Sequence, residues 1–514
     1  MPALDDMVNS VEAYAHHGFV GIALAAFTAL IGLSTVYLLL INPLYNIFLH
    51  PLRHIPGPKL WAITHIFYSK SVYNGLVHKD LLELHRVYGP VVRVAPNSVN
   101  ISHPEGQRDL KGHRKGGADE NGKDPAVFGL SASNLIGAPR EEHTAQRRIL
   151  SHAFSAQTMV EQQAIIKGYI DKFFEGLRKN SQNGTQLVEM TSWLNWLTFD
   201  VIGDLAFGEP FGCLENSEYH VWVNLTLDAL KFTRLQAELG RLGRVASMMQ
   251  NHLIGGLSKQ YQDHIGLATL RVRKRLETST TRPDFIHKMI EGGKQRDHPL
   301  SFEKLVSNAE LLVVAGSETT ATVLSSAVFY LTTNPQALAR LSKEIRSAYK
   351  DESEVDLLNT QHLAYLNAVV NETLRIQPPV AGSGSRIAAP GGTTVAGHFI
   401  PGGTICDTDI WTIHHNPSMF TLADSFVPER FLGDDRFKND RLDAVEPFSA
   451  GPRNCIGRNL AYAEIRMVLA RLVLNFDMEI NPADKTWNVD QKAFFVWDKP
   501  LLRVWLKPRT TSAV

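Results

Sequence analysis

The sequence predicts a mainly α-helical chain with small β-sheets, preceded by one N-terminal transmembrane helix. Three observations lead there. Residues 18–41 form an apolar run long enough to cross a bilayer, which takes about 20 residues. Apolar residues recur at helical spacing, as at Leu363, Leu366, Val370 and Leu374, and again at Leu460, Ile465, Val468, Leu469 and Leu472. Short β-branched stretches bounded by Pro, Gly and Asn read as strands and turns, such as Val-Val-Arg-Val at 91–94 and Val-Asn-Ile at 99–101 around Pro96-Asn97. The 514 residues contain no internal repeat, long charge run or low-complexity linker, so one large domain follows the anchor.

Taken in order, the chain starts with acidic residues, Asp5, Asp6 and Glu12, where a cleaved signal peptide has a basic start and a shorter apolar core. Residues 18–41 therefore read as an anchor. Arg53, Lys59 and Lys70 follow the span, so the positive-inside rule puts the large domain in the cytosol and the short segment 1–17 across the membrane, on the lumenal side. Residues 42–59 hold Pro51, Pro56 and Pro58, which fix the backbone and make a stiff hinge, with the domain proper at 60–514. Residues 103–130 show little periodicity and read as loop or weak helix. Helices are expected over 141–155, through 199–270, and within 239–257 as an amphipathic stretch carrying Arg241 and Arg244.

Ser301 can cap a further helix whose later part, Leu-Leu-Val-Val-Ala-Gly at 311–316, is apolar all round. The polar group Ser317-Glu318-Thr319-Thr320 interrupts it. A carboxylate inside a buried helix is costly unless something needs it, and Gly316 is a place for the helix to open. Asn334-Pro335 starts the next helix with proline at its first position. Another begins near Thr360, with Glu372 and Arg375 close enough to pair. Residues 378–386 and 393–405, split by Pro-Gly-Gly at 390–392 and 401–403, read as short strands.

Composition narrows the partners. Lysine plus arginine equals aspartate plus glutamate at 52 each, and no basic stripe stands out, which argues against nucleic acid. The three cysteines, Cys213, Cys406 and Cys455, are too few for a disulfide framework. Cys455 stands apart because it lies in Pro-Phe-Ser-Ala-Gly-Pro-Arg-Asn-Cys-Ile-Gly at 447–457, a turn-rich stretch just ahead of a helical pattern. Backbone N–H groups at such a turn, a helix N-terminus and Arg453 would all favour a thiolate, while Phe448 would keep water off the sulfur. Cys455 therefore reads as a metal ligand.

That stretch resembles the haem-binding signature of the cytochrome P-450 monooxygenases, F-x-x-G-x-R-x-C-x-G, at every fixed position, from Phe448 through Arg453 and Cys455 to Gly457. Ala-Gly-Ser-Glu-Thr-Thr at 315–320 is similar to the family's oxygen-activation motif, Glu-Thr-Leu-Arg at 372–375 to its E-x-x-R, and Pro-Glu-Arg-Phe at 428–431 to its P-E-R-F element. The resemblance implies the cytochrome P-450 fold with haem b held by Cys455, Phe448 packed beside the sulfur and Arg453 on a haem propionate. It further implies that Gly316 opens the helix, Thr319 hydrogen-bonds the O2 co-substrate, Glu318 relays protons, and Glu372, Arg375 and Arg430 form a buried triad locking the cysteine loop. Arg147 and Arg386 resemble propionate ligands; His143 stands where many members carry tryptophan.

No G-x-G-x-x-G follows a strand, so electrons are expected from NADPH through a membrane flavoprotein reductase. The chain resembles fungal microsomal members of secondary metabolism, which implies an endoplasmic reticulum membrane protein oxygenating an apolar terpenoid or polyketide. Pocket residues are expected at 311–315, 380–383 and 494–496. The alternatives are a haem-thiolate isomerase or lyase needing no reductase, and a membrane-anchored haem- or lipid-binding protein without turnover.

Overall fold

The computed structural model describes residues 22, 24–114, 119–243, 246, 248–278, 282, 284–296, 299–382 and 384–509. The predicted lumenal segment 1–17, the start of the anchor, Arg244 and the pocket residue Ser383 lie outside the described residues. The apolar helix α1 (Leu24–Leu49) is long enough to cross a membrane and exposes its side chains along most of its length. It runs past Ile41 and through Pro43. A proline ring denies one backbone bond, and the helix widens into π-turns on either side, Tyr37–Ile41 and Tyr45–Leu49. The last turn of α1 is docked on the domain. Asn46 is buried, its side-chain amide donates to the Ile63 carbonyl at 3.3 Å, and its own carbonyl accepts from the buried Arg93 guanidinium at 2.7 Å. The proline segment then packs rather than dangles: Leu52 and Ile55 are buried, and the Arg93 N–H donates to the Pro56 carbonyl at 2.8 Å.

Helix α2 (Val77–Tyr88) leads into β1 (Val91–Ala95) and β2 (Ser98–Ile101), the pair expected from alternation around Pro96-Asn97. After α3 (Gly106–Lys111) comes β3 (Gly122–Lys123), then α4 (Arg140–Leu150), α5 (Ala156–Ser181), β4 (Leu187–Glu189), α6 (Met190–Phe207), α7 (Val221–Arg241) and α8 (Gln250–Glu277). The stretch 239–257 is not one helix. Leu242 and Gly243 break it, with Gly243 at φ 106°, a left-handed setting that glycine adopts freely. The 26-residue α5, which the sequence reading passed over, is capped by Ser155, whose hydroxyl accepts from the Thr158 N–H.

Helix α9 (Phe302–Thr333) is the axis of the fold, capped by Ser301 as expected and packed on α6, α8 and the C-terminal helix. Helix α6 is buried nearly all round, with Trp193, Trp196 and Phe199 inside, so its long apolar pattern reflects burial on every side. Helices α10 (Pro335–Ala348) and α11 (Ala364–Ile376) follow. Next come β5 (Arg386–Ile387), β6 (Thr393–Val395), β7 (His398–Ile400) and β8 (Ile405–Asp407). The chain closes with α12 (Arg458–Asn475), β9 (Phe476–Ile480), β10 (Lys492–Ala493), β11 (Trp497–Asp498) and β12 (Arg503–Pro508). The largest sheet has the order β1-β2-β8-β5-β3, with β2 and β8 parallel and the other neighbours antiparallel. Its register sets Lys123 opposite Arg386 and Arg386 opposite Cys406.

Candidate active site: an open thiol beside a cluster of cations

Cys455 sits two residues before Gly457, the N-cap of α12. Its backbone N–H donates to the Phe448 carbonyl at 2.9 Å, closing the loop on itself. Ser449 and Gly451 both have positive φ, and a Cβ at Gly451 would stand 2.0 Å from the Lys111 carbonyl oxygen, so the loop lies flat against the end of α3. Arg147 on α4 pins the other side, donating to the Asn454 carbonyl at 2.7 Å and to its side-chain oxygen at 2.6 Å. The thiol is exposed although protein surrounds it on most sides, so it lines an interior cleft. One expectation is reversed: burial pushes the Cys455 thiol up, against the lowering by the Gly457 N–H, Arg147 and Arg458. The sulfur keeps its proton until a metal displaces it. Gly457 needs no special torsion, and a Cβ there would make ordinary contact with Phe154.

Positive groups cluster nearby. Arg386 is buried and among the described residues has two long hydrogen bonds, to the Gly384 and Ser385 carbonyls, both 3.5 Å; burial and Arg453 pull it down to about 10. Lys123 packs its ammonium over the Phe128 ring at 4.1 Å, and burial, with Arg386, Lys111 and Arg453 adding, drives it well below the usual lysine range. Among the described residues neither has a carboxylate within ion-pair distance. Glu120 is taken by Arg453 at 2.7 Å. His143 is buried and held down to about 4 by burial, Arg453 and Arg147, hence neutral. Buried cations without acid partners are costly, and a ligand carrying carboxylates would satisfy them. An open thiol beside such cations fits haem, with its iron and two propionates. Lys123 escaped the sequence reading because a two-residue strand has no periodicity to detect.

On α9 the structure gives different surroundings to four residues close in sequence, Ala315, Gly316, Glu318 and Thr319. Ala315 is exposed in mid-helix, so that face borders open space. Thr319, one turn on, donates its hydroxyl to the Ala315 carbonyl at 2.6 Å. Glu318 is turned into protein, fully buried, where Lys499 is ion-paired to Oε1 and Oε2 has no hydrogen-bond partner among the described residues. Gly316 does not break the helix; it permits close packing, since a Cβ there would meet Ile202 Cδ1 at 2.6 Å. Of the pocket residues expected at 311–315, 380–383 and 494–496, Leu311, Val314, Val380, Gly382, Phe494, Phe495 and Val496 are half-buried and Ala315 is exposed, whereas Leu312, Val313 and Ala381 are buried in the core and do not line a cleft.

The triad forms. Glu372 and Arg375 pair bidentately at 2.7 Å, and Arg430 Nε lies 3.2 Å from Glu372, all three buried. Its grip falls elsewhere than expected. Arg375 donates to the His414, Ala423 and Ser425 carbonyls and Arg430 to the Thr421 carbonyl, with Asp440 as an unforeseen second acid on Arg430. The triad therefore orders 414–440, and the cysteine loop begins only after that segment.

Helical packing around α9 with a lone cysteine offered to a cleft beside unsatisfied cations defines a haem-thiolate enzyme. The chain belongs to the cytochrome P450 family, whose sequence profile matches residues 55–505. It is 48% identical over 482 residues to the trichothecene C-15 hydroxylase of Fusarium sporotrichioides, covering 94% of this chain and 98% of that protein. It is 40% identical to the cytochrome P450 monooxygenase astJ of Aspergillus oryzae, over 90% of this chain and 94% of that protein. It is 36% identical to the averantin hydroxylase of Dothistroma septosporum, over 95% and 93%. The chain is a monooxygenase that binds haem through a cysteine thiolate and uses O2; the family implies a redox partner and an apolar substrate.

Proposed function

We propose that this protein hydroxylates an apolar terpenoid or polyketide of secondary metabolism at the cytosolic face of the endoplasmic reticulum. Electrons come from NADPH through a separate flavoprotein reductase. The observation that carries the reading is the Cys455 thiol, open to an interior cleft on a loop pinned by Arg147. The relative that acts on a trichothecene supports a terpenoid, and makes trichothecenes the first compounds to offer.

Haem bound through Cys455 supplies oxygen activation, because thiolate electron density favours O–O cleavage. The chain's own residues do the rest. Cys455 gives up its proton to become a ligand, and the Arg147 and Gly457 contacts then hold a charge already compensated. Arg386, Arg453 and Lys123 would hold the propionates, with Arg147 and neutral His143 beside them. Phe448 and Ile456, half-buried against the core, keep water from the sulfur. Thr319 turns its hydroxyl from the Ala315 carbonyl toward the cleft to donate a hydrogen bond, Glu318 holds the proton that follows, and Gly316 allows α9 to lie close on α6. The triad Glu372, Arg375 and Arg430 positions the segment ahead of the cysteine loop.

The test is expression with a microsomal reductase, feeding of trichothecenes and polyketides, and mass spectrometry under labelled dioxygen. A product carrying one labelled oxygen atom is expected; turnover without reductase and NADPH would overturn the reading.

A further inference from the structure

Lys499 is the buried ammonium that this chemistry leaves unexplained. It stands in the Trp-Asp-Lys-Pro segment after β11, its side chain 3% exposed, and reaches the middle of α9. There Nζ is paired to Glu318 Oε1 and donates to Thr322 Oγ1 at 2.9 Å, while Thr322 donates to the same carboxylate oxygen at 3.4 Å. Two features distinguish this pair from a structural ion pair. Glu318 Oε2 is buried without a hydrogen-bond partner among the described residues, so one carboxylate oxygen is tied down and the other left available. The segment carrying Lys499 is also tied to an acid: Glu189, half-buried at the β4–α6 junction where it caps α6 through the Thr191 and Ser192 N–H groups, accepts from the Leu502 N–H at 2.9 Å, and Thr191 donates its hydroxyl to the Pro500 carbonyl at 3.3 Å.

Resting on the reading of Glu318 as a proton holder, we propose that Lys499 is the positioning residue that fixes the Glu318 carboxylate and reloads it with protons from the Glu189 side of the molecule. In a low-dielectric interior burial lowers the Lys499 ammonium, which brings the neutral amine–carboxylic acid pair toward the charged pair in energy. A proton therefore moves from Nζ to Oε1 at little cost. The carboxyl rotates and surrenders the proton on its free side, and the neutral amine takes another from water near Glu189. One proton travels inward per cycle, and no electron is exchanged.

The experiment needs no identified substrate. Holoenzyme with reductase and NADPH, given no organic substrate, divides dioxygen between two fates. Peroxide release consumes one NADPH and places two protons on each dioxygen, and reduction to water consumes two NADPH and places four, so the second fate asks more of proton delivery. Lys499→Met and Glu318→Gln are each expected to slow water formation by about tenfold, less than the ~10²–10⁴ of a general acid itself, with peroxide rising to match. Lys499→Arg keeps the ion pair but cannot give up its proton, so it leaves water formation as slow as Lys499→Met does, and the double variant is no worse than Glu318→Gln. A second readout uses the resting protein: by difference infrared spectroscopy, Lys499→Met gains a protonated-carboxyl band that the double variant lacks.

Should Lys499→Met divide dioxygen as wild type does while Glu318→Gln does not, the inference fails and the role of Glu318 stands. If Glu318→Gln is also silent, that role fails too. Lys499→Gln, which keeps a donor to Thr322, repeats the comparison should the methionine variant not fold, and water formation at the wild-type rate in it overturns the proposal.

Discussion

A carbonyl oxygen of α3 lies where a Cβ on Gly451 would have to go, 2.0 Å away, and the residue's φ of 77° is one that L side chains resist by roughly 1–2 kcal/mol. Gly451→Ala is therefore expected to lift the cysteine loop and cut haem content in purified protein, whereas Gly457→Ala, which meets only an ordinary contact with Phe154, should retain it. Cys455→Ser should abolish the far-shifted Soret band of the carbon monoxide complex while leaving the thermal transition of the apoprotein near wild type, since the side chain touches open space. At this scale Cys455, Phe448 and Arg453 could be singled out as candidates in the sequence, because their spacing in a turn is itself chemical information. It was silent about Lys123 and Lys499. Each lies in a strand or turn too short for a pattern, and only the fold brings them beside Arg386 and Glu318.

Between elements, a charged network joins the start of the domain to α7. Glu238 is buried between Arg234 and Arg241 and accepts from His65 at 2.9 Å and from Ser69 at 3.2 Å, and Arg241 in turn pairs with Asp124. Burial alone would raise the Glu238 carboxyl, yet Arg234, His65 and Arg241 bring it from 4.5 down to about 2. A carboxyl held below its unfolded value stabilises the fold above that value and loses the contribution as pH falls from 4.5 toward 2, here about 3 kcal/mol. Denaturant titrations between pH 7 and about pH 3 should show Glu238→Gln weaker at neutrality by roughly that amount and less sensitive to acid. Glu372→Gln, by removing the acid between two buried arginines, should cost about 3–5 kcal/mol and release 414–440 to proteolysis. Helix periodicity made most elements legible. It failed at α5, whose polar residues interrupt the apolar stripe, and at 239–257, where Leu242 and Gly243 end a helix inside a hydrophobic stretch.

For the whole molecule, the sequence located the apolar span and the proline segment after it but not the join between them. The join is structural: Asn46 and Arg93 hold the final turn of α1 on the domain. Removing residues 1–41 is expected to free the protein from membranes with its thermal stability kept. Removal through Leu49 strips the buried Arg93 of a carbonyl partner and should lower the transition temperature by several degrees, read by differential scanning fluorimetry. A span fastened this way behaves as a bracket and not as a tether. Wherever lipid grips α1, it also sets the tilt at which the domain stands, so the angular freedom that a loosely strung enzyme would surrender at each encounter with a membrane-bound electron donor has already been given up during folding.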